Sequence, residues 1–536
     1  MGKSPPMTQL RVGFASIYAW RPHVEHMMFL ARLVEQAGHA ARFLACDADL
    51  PACYTRELRD VRPDWMECLM CRAGGVRSYT GRNVASIGSL AARVPDAATL
   101  ARGGEWAASS ASTLGRFESA ADYASAEFAQ LRERLAPTAA MAFEAASAWI
   151  RRERLDAICL FNGRMDATRG IFEAARAAGV RVVTFERTWF GDGIQLLPDE
   201  HCLGLDSWHA MVARWSCVPL SELHARKAAA FVAARLTRTN VSEWRAYNVD
   251  ARDTGWPVAG GRRRILVLPS SLNEVWSMPG WASPWGDATA GFDAVLAHLG
   301  LQPQDLVLRC HPNWSERIGK RDGSLPEAHY TGWARARGIH VIASADKAST
   351  MALIAQCDAV LLASGSAALE AAALGKQVIA VGPSHYHEGG FRTDASTPEA
   401  LARLALDVDL PPPQRAAAQE RLRRGALRFL YTVAYRLPQY VQHVKALSTT
   451  SYRYVPGADP QRLVDLLRTG RLQADDAFGS PDAAGEDRVV ALLEAGEWEA
   501  LRQPPDAAPA ASERVRRRWF LQPVDFIREK MPVGDR

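Results

Sequence analysis

Four apolar runs between residues 262 and 382 decide the fold: ILVLPSS (265–271), LVLRCHPN (306–313), AVLLASGS (359–366) and QVIAVGP (377–383). Each run is short and ends in a loop of polar residues, and Val341–Ala343 adds a further short run. Short, wholly apolar runs are typical of parallel strands that are buried on both faces. Because helical patterns separate the runs, notably at Ser349–Cys357 and Ala367–Leu374, the sequence predicts an α/β fold with a parallel sheet.

The tripeptide Ser364-Gly365-Ser366 lies between one predicted strand and a helix that is predicted to begin near Ala367. Ligands of open parallel sheets bind beyond the carboxyl ends of the strands. Glycine lets the backbone come close to a ligand, and the free N–H groups at a helix start favour an anion. We therefore predict that Ser364, Gly365 and Ser366 bind a phosphate group. The alternative is that Ser366 only caps the helix.

Two further polar positions lie at predicted strand ends in the same block. His311 and Arg309 close the run that begins at Leu306, and a histidine beside an arginine suits a diphosphate or a nucleotide phosphate. Alternatively, His311 is only a turn residue before the proline that ends the strand. Ser270 follows the first run, and we predict that it contacts a sugar or an acceptor.

The N-terminal half repeats the alternation of strands and helices. The predicted strands are Arg11–Ala15, His39–Ala45, Leu155–Phe161 and Val180–Phe185, and the predicted helices are Pro22–Ala37, Glu118–Glu153 and Asp166–Ala178. Two such blocks predict two Rossmann-type lobes with a cleft between them, where ligands often bind. The predicted boundaries are 1–249 for the first lobe, 250–261 for a linker, 262–396 for the second lobe and 397–536 for a mainly helical region.

Polar residues also follow two strands of the first block. Asn162 and Arg164 come directly after one strand, and Arg164 is a plausible contact for a carboxylate or a phosphate. Glu186 follows the next strand, where a carboxylate can act as a base or as a nucleophile. Alternatively, Arg164 is a surface arginine in a turn, and Glu186 forms an ion pair with Arg187 or Arg164 that only orders the loop.

The composition is that of a globular protein with a large core. The chain has 536 residues, of which 48% are hydrophobic and 23% are charged, and its formal net charge is +5. This length favours two or more domains. The charge is too small to indicate nucleic acid as a partner, and no apolar run reaches the length of a membrane span. Since the N-terminus lacks the apolar core of a signal peptide, we expect a cytoplasmic protein.

Four of the nine cysteines lie close together in the sequence, at Cys46, Cys53, Cys68 and Cys71. A C-x-x-C pair with two further thiols nearby is typical of a structural zinc site or an iron–sulfur site. Disulfides are less expected in a cytosolic protein. The alternative is that these four residues are ordinary buried thiols.

Residues 262–395 resemble the C-terminal lobe of bacterial capsule-polysaccharide glycosyltransferases with the GT-B fold. The residues that carry this resemblance are Leu308–Asn313, Cys357–Val360, Ser364–Ala371 and Leu374–Lys376, and residues 158–190 resemble the acceptor lobe of related proteins. The motifs resemble those of two families of known type, the Kdo transferases and the bacterial sialyltransferases. These enzymes use CMP-activated sugars and transfer them to cell-surface polysaccharides or glycolipids.

The resemblance implies roles for particular residues. His311, Ser364 and Ser366 would hold the phosphate of CMP, with Arg309, Gly365, Glu370 and Tyr386 as further donor contacts. Asn162, Arg164 and Ser270 would face the acceptor or the sugar. Glu186 would supply the catalytic carboxylate, although the acidic motif of the family is reduced here to Glu186-Arg187-Thr188, and Asp192 is the fallback. Enzymes of this fold often work without a catalytic metal, and we expect none here.

Other functions remain open from the sequence. A non-hydrolysing nucleotide-sugar epimerase shares the two lobes and needs no acceptor, and a polyol-phosphate transferase also has a His-Pro motif. A non-enzymatic scaffold for capsule assembly would keep the shape and lose the catalytic carboxylate. Basic and aromatic residues at 421–435 and 514–520 predict contact with an anionic membrane surface, where glycan acceptors are anchored. The alternative is that these arginines cap helices or bind acidic neighbours.

Overall fold

The first of two sheets is built from the N-terminal part of the chain. The computed structural model describes residues 9–59, 62–91, 95–240, 246–476, 478–479, 484–502 and 512–530. The strands of this sheet are β1 (Arg11–Ala15), β2 (Ala40–Ala45), β3 (Val84–Ser86), β4 (Ala157–Phe161), β5 (Arg181–Arg187) and β6 (Ile194–Pro198). Their order is β3-β2-β1-β4-β5-β6, and only β6 is antiparallel to its neighbour.

Helices cover both faces of this sheet and connect its strands. They are α1 (His23–Gln36), α2 (Tyr54–Arg59), α3 (Asp64–Gly74), α4 (Ala97–Trp106), α5 (Ala108–Gly115), α6 (Ala120–Tyr123), α7 (Ala126–Glu153) and α8 (Asp166–Ala177). The long region predicted as one helix from Glu118 is therefore broken into α6 and α7, because Ser125 caps the second helix by accepting the N–H of Phe128. A serine at this position stabilises a new helix start.

The second sheet has the same strand order as the first. Its strands are β7 (Ile265–Leu268), β8 (Leu306–Arg309), β9 (His340–Ile342), β10 (Ala359–Leu362), β11 (Gln377–Ala380) and β12 (Thr393–Asp394). They lie in the order β12-β11-β10-β7-β8-β9, and all neighbours are parallel. The helices between them are α11 (Ala288–Leu299), α12 (Ser324–Ala336), α13 (Thr350–Gln356) and α14 (Ala367–Ala373), and α15 (Pro398–Leu401) follows the last strand.

The four-residue strands of this sheet are apolar throughout because each face carries its own core. Leu266 and Leu268 of β7 pack in one hydrophobic cluster, and Ile265 and Val267 pack in another on the opposite face. Successive side chains of a strand point to opposite faces, so a strand that is covered on both sides needs apolar residues at every position. This requirement explains why β7, β8 and β10 begin where the apolar runs of the sequence begin.

The remaining helices join the two lobes in a way that the sequence did not reveal. These elements are α9 (Asp206–Ser216), α10 (Glu222–Leu236), α16 (Pro412–Tyr431), α17 (Pro460–Thr469), α18 (Glu486–Ala495), α19 (Trp498–Leu501) and α20 (Gln522–Lys530), with a hairpin of β13 (Val444–Ser448) and β14 (Ser451–Tyr454). Helices α9, α10, α16 and α18 pack in one core of the second sheet, whereas the hairpin and α17 return to the core of the first. The domain boundaries stay a prediction.

Short helical turns complete the chain. Single turns of 3₁₀ helix lie at Val76–Ser78, Leu272–Glu274, Pro279–Trp281, Pro303–Asp305, Pro312–Ser315, Asp407–Asp409 and Trp519–Leu521, and a π-helical turn spans Thr432–Arg436. No helix in the described part of the chain is both long and apolar enough to cross a bilayer.

Two expectations about the C-terminal half are wrong. After Gly382, where the sequence predicts no strand, β12 to β14 follow; β12 has two residues, too few for a period-two pattern to show. The basic stretch 421–435 is not an exposed surface for lipid. Phe429 and Tyr431 are buried, and Arg428 donates to Glu486 at 2.8 Å and to the carbonyl oxygen of Ser216 at 3.1 Å.

The carboxyl ends of the two sheets face one another. After β4, the Arg164 guanidinium donates to the carbonyl oxygen of Glu274, which lies after β7, at 3.1 Å. After β5, the ring of Trp189 lies 5.6 Å from that of His385, which follows β11. Two Rossmann-type lobes with a cleft between their carboxyl edges, closed by C-terminal helices, form the GT-B-like α/β architecture that the sequence predicts.

Candidate active site

The second-lobe side of the cleft is built around the point where the strand order reverses. Strands β7 and β10 are neighbours there, and Ser270 follows the first while Ser364-Gly365-Ser366 follow the second. A Cβ atom on Gly365 would lie 3.1 Å from the Ser270 hydroxyl oxygen, so glycine lets these two loops approach closely. Ser366 makes no capping hydrogen bond to α14, and the Ser270 hydroxyl is buried without a partner in the described residues. Both hydroxyls are therefore available to a ligand.

His311 is placed beside this point as a neutral hydrogen-bond donor. Its Nδ1 accepts the backbone N–H of Asn313 at 3.2 Å, so the neutral ring carries its hydrogen on Nε2. Burial lowers the pKa of His311 to about 4, with the charges of Arg309 and Arg116 acting in the same direction. The imidazole is therefore uncharged at neutral pH and presents one N–H group.

Arg309 has a different role from the predicted one. Its guanidinium is only 3% exposed and donates to the carbonyl oxygens of Ala343 at 2.5 Å and Asp346 at 2.9 Å. Burial lowers its pKa from the ordinary value. Arg309 thus fixes the loop after β9, and the arrangement gives no support to its predicted contact with phosphate.

The two other predicted donor contacts lie inside the lobe. Glu370 is buried on α14 and forms an ion pair with Arg235 of α10, while its other carboxylate oxygen has no partner among the described groups. Tyr386 is fully buried and packs against Phe391 and Phe429. Tyr386 therefore stabilises the core, and its position does not support contact with a sugar donor.

On the first-lobe side, Glu186 lies at the end of β5 and is held by three groups. One carboxylate oxygen bonds to Nε2 of His23 and accepts the N–H of Arg187 at 3.1 Å, and the other accepts the side-chain amide of Asn162 at 3.3 Å. Burial acts to raise the pKa of Glu186, but the charge and hydrogen bond of His23 outweigh it and lower the pKa to about 2. The carboxylate is ionised at neutral pH, and its side chain is 22% exposed.

Asn162 shapes the turn that brings these groups together. Its φ is +65°, and its side-chain oxygen accepts the N–H groups of Arg164 at 3.0 Å and Met165 at 3.2 Å. Asparagine tolerates this left-handed conformation because its side chain bonds to nearby backbone. The same side chain then offers its amide to Glu186, so Asn162 is a positioning residue for the carboxylate.

Arg164 links the lobes instead of facing a ligand. Its guanidinium donates to the hydroxyls of Ser109 at 2.7 Å and Thr113 at 3.1 Å, as well as to the Glu274 carbonyl, and the residue is buried. Similarly, the fallback carboxylate Asp192 bonds to Lys445 and to the N–H of Ala446, both at 2.9 Å. Both residues therefore hold parts of the structure together.

His23 and Glu118 were not identified from the sequence. His23 follows β1 at the same sheet edge as Glu186, and the rule that located His311 would have located it. Glu118, in the loop before α6, accepts the N–H of Leu272 and the hydroxyl of Tyr330 across the lobe interface at 2.9 and 2.8 Å. No sequence signal marks Glu118, because its partners are more than 150 residues away.

Burial raises the pKa of Glu118 to about 8 from an ordinary value of 4.5, with the charges of Asp122 and Asp287 adding to the shift. The folded protein therefore keeps this proton up to about pH 8, whereas the unfolded chain loses it near pH 4.5. The free energy of unfolding should fall by a few kcal/mol as pH rises through this window.

We expect Glu118→Gln to remove that dependence, because glutamine keeps the shape and does not titrate. The measurement is urea unfolding of the wild type and the variant between about pH 5 and pH 8. Equal pH slopes in the two proteins would show that Glu118 does not carry the proton.

The four clustered cysteines line one apolar cavity together with Ile17 and Val76. Burial raises the pKa of Cys46 to about 11 and of Cys53 to about 12, so these thiols stay protonated. No group of three or more His, Cys, Asp or Glu side chains within the described ranges is arranged to hold a metal ion. The zinc or iron–sulfur site at these cysteines stays a prediction.

No protein-family model and no curated protein sequence matches the chain. Among solved structures, the KpsC β-Kdo 2,4 transferase of Thermosulfurimonas dismutans is 15% identical, with 58% of this chain and 87% of that chain covered and a TM-score of 0.33. MurG of Acinetobacter baumannii is 13% identical, with 78% and 94% covered and a TM-score of 0.24. The UDP-GlcNAc 2-epimerase of Methanocaldococcus jannaschii, solved with UDP-GlcNAc and UDP, is 10% identical, with 74% and 91% covered and a TM-score of 0.25. Similarities this weak assign no activity.

Proposed function

We propose that the protein is a glycosyltransferase that moves a sugar from a nucleotide-activated donor to a hydroxyl group of an acceptor. The main support for this proposal is that the carboxyl edges of the two sheets face each other across one cleft and carry different functional groups. The second lobe offers a neutral imidazole N–H and serine hydroxyls, which are donors for a phosphate. The first lobe offers an ionised carboxylate bonded to a histidine, which suits proton removal from an alcohol.

The donor that we favour is a CMP-sugar such as CMP-Kdo, and the acceptor class is a cell-surface polysaccharide or glycolipid. Support for the nucleotide comes from the sequence, in which His311-Pro312 and the Ser364-Gly365-Ser366 turn resemble the motifs of Kdo transferases and sialyltransferases. Support for the placement comes from the switch point between β7 and β10, where open parallel sheets bind their ligands.

The reaction would proceed by attack of the acceptor oxygen on the anomeric carbon of the donor. The acceptor hydroxyl gives up its proton, the new glycosidic C–O bond forms, and the bond from the anomeric carbon to the phosphate oxygen breaks. Glu186 is a weak base while His23 is charged, so we assign proton uptake to the hydrogen-bonded pair of Glu186 and a neutral His23. The charge that develops on the phosphate is stabilised by the Nε2–H of His311 and by Ser364 and Ser366.

We place this reaction in the cytoplasm, at the inner surface of the cytoplasmic membrane, where a lipid-anchored acceptor would be presented. The absence of a spanning helix from the described residues is compatible with a peripheral protein. We propose no metal in the reaction, since the hydrogen-bond donors named above can stabilise the leaving phosphate.

The test is turnover of a panel of sugar nucleotides by the purified protein, with a glycolipid fraction as the acceptor and the products read by mass spectrometry. Release of CMP together with a lengthened glycolipid supports the proposal. A changed sugar that remains attached to its nucleotide would show an epimerase, and transfer of a phosphate with the polyol would show a polyol-phosphate transferase. No turnover of any donor would favour a scaffold.

A further inference from the structure

Exposed apolar side chains are concentrated on one part of the first lobe. Trp65, Leu69 and Met70 project from α3, and five others project from the C-terminal segment: Trp519, Phe520, Val524, Phe526 and Ile527. Together these are eight of the twelve exposed large apolar side chains in the described residues, and Trp519 is 80% exposed. Single exposed apolar residues are ordinary, but a concentration of this kind marks an interaction surface. We call these eight side chains the docking face.

The two segments of the docking face are fastened to each other. The Arg517 guanidinium donates to the carbonyl oxygen of Ala73, at the end of α3, at 3.0 Å. It also donates hydrogen bonds of 2.6–2.9 Å to the carboxylate of Asp525 on α20. The backbone N–H of Arg518 donates to the Ser78 carbonyl oxygen at 2.7 Å. The apolar side chains therefore project from a fixed framework, and Arg517 itself is buried within it.

The charge around the docking face identifies its partner. Residues 514–527 contain four basic side chains and one acidic side chain, and Arg516 and Arg518 are exposed beside Trp519 and Phe520. Aromatic residues next to clustered arginines are what an anionic lipid surface attracts, through burial of the rings at the headgroup level and attraction of the charges. A second copy of the chain would bring two basic clusters together, which like-charge repulsion opposes.

We infer that the docking face binds the surface of an anionic lipid bilayer. The position of the face connects it with the cleft, and this connection rests on the proposed function. The outer side of α3 carries Trp65, Leu69 and Met70, while its inner side lines the apolar cavity that begins at Ser16 and Cys46, directly after β1 and β2. The face thus lies over the carboxyl edge of the first sheet, where it would bring a lipid-anchored acceptor to the Glu186 side of the cleft.

The experiment is flotation of the full-length protein with vesicles of pure phosphatidylcholine and with vesicles containing about one-third phosphatidylglycerol. The variants are Trp519→Ser/Phe520→Ser and Arg516→Glu/Arg518→Glu. The matched control is Leu223→Ser/Leu447→Ser, which removes two exposed apolar side chains elsewhere. All of these side chains are exposed, so the variants should fold, which circular dichroism checks.

We expect the wild type and the control to float with the anionic vesicles only, and each docking-face variant to bind at least about tenfold more weakly. Failure of the wild type to float, equal flotation of all variants, or a dimer that depends on Trp519 without vesicle binding would overturn the inference. No sugar donor is present in this assay, so a negative result here leaves the proposed transferase activity unaffected, and a failed turnover assay leaves lipid binding unaffected.

Discussion

Glu186→Gln should lower the rate of sugar transfer by about 10²- to 10⁴-fold, the range that a positioned acid–base group contributes. Glutamine keeps the size of the side chain and can still bond to Asn162, but it has no charge and cannot take part in proton uptake. Binding of the nucleotide should change little, because Glu186 lies on the other lobe. The measurement is kcat and KM with the donor that turns over in the panel.

The matched control is Asp192→Asn. Asp192 is a nearby carboxylate on the same lobe, and its partners are Lys445 and the backbone of Ala446. We expect a transfer rate within a few-fold of the wild type and a modest loss of stability, since the substitution weakens a partly exposed ion pair. A large loss of rate in Asp192→Asn with an unchanged rate in Glu186→Gln would transfer the catalytic role to Asp192.

His23→Gln should lower the transfer rate by about a hundredfold or more, because Glu186 then lacks the partner that shares the proton. The two residues are expected to act as a unit, so the variant that carries both His23→Gln and Glu186→Gln should be hardly slower than the worse single variant. A purely structural role for His23 would instead make the two losses multiply.

One further readout and one control variant distinguish these roles of His23. The pH dependence of kcat/KM should differ between the wild type and His23→Gln, whereas loss of folded protein would change only the amplitude. His39→Gln is the control histidine, because His39 lies at the amino end of β2, away from the cleft edge. A loss of rate in His39→Gln as large as that in His23→Gln would show that the effect is not specific to the site.

The sequence was sufficient for the parts of the fold that depend on local patterns. Strands such as Ile265–Leu268 are apolar at every position because both faces of the sheet are covered, and this pattern is visible without a structure. The polar loops after these strands were predicted for the same reason, since the carboxyl edge of a parallel sheet is a fixed consequence of the topology.

The uses of long charged and aromatic side chains could not be predicted in the same way. Arg309, Arg164 and Tyr386 were expected at a ligand, yet each is used inside the protein by partners that are distant in sequence. An arginine at a strand end has many directions in which to donate, and the choice depends on which carbonyl groups the tertiary fold places nearby. Likewise, the spacing of the four cysteines could not show that burial keeps at least two of the thiols protonated.

We propose that the second lobe binds a nucleotide phosphate at His311 and the serine turn. The most direct measurement is calorimetric titration with CMP, UDP, GDP and CDP, on the wild type, on His311→Ala and on His340→Ala as a control with an exposed histidine on β9. We predict selective binding of CMP, unchanged in His340→Ala and about 10- to 100-fold weaker in His311→Ala, the loss expected for one hydrogen bond to a charged group. Binding of no nucleotide, or binding that His311→Ala leaves unchanged, would contradict the claim.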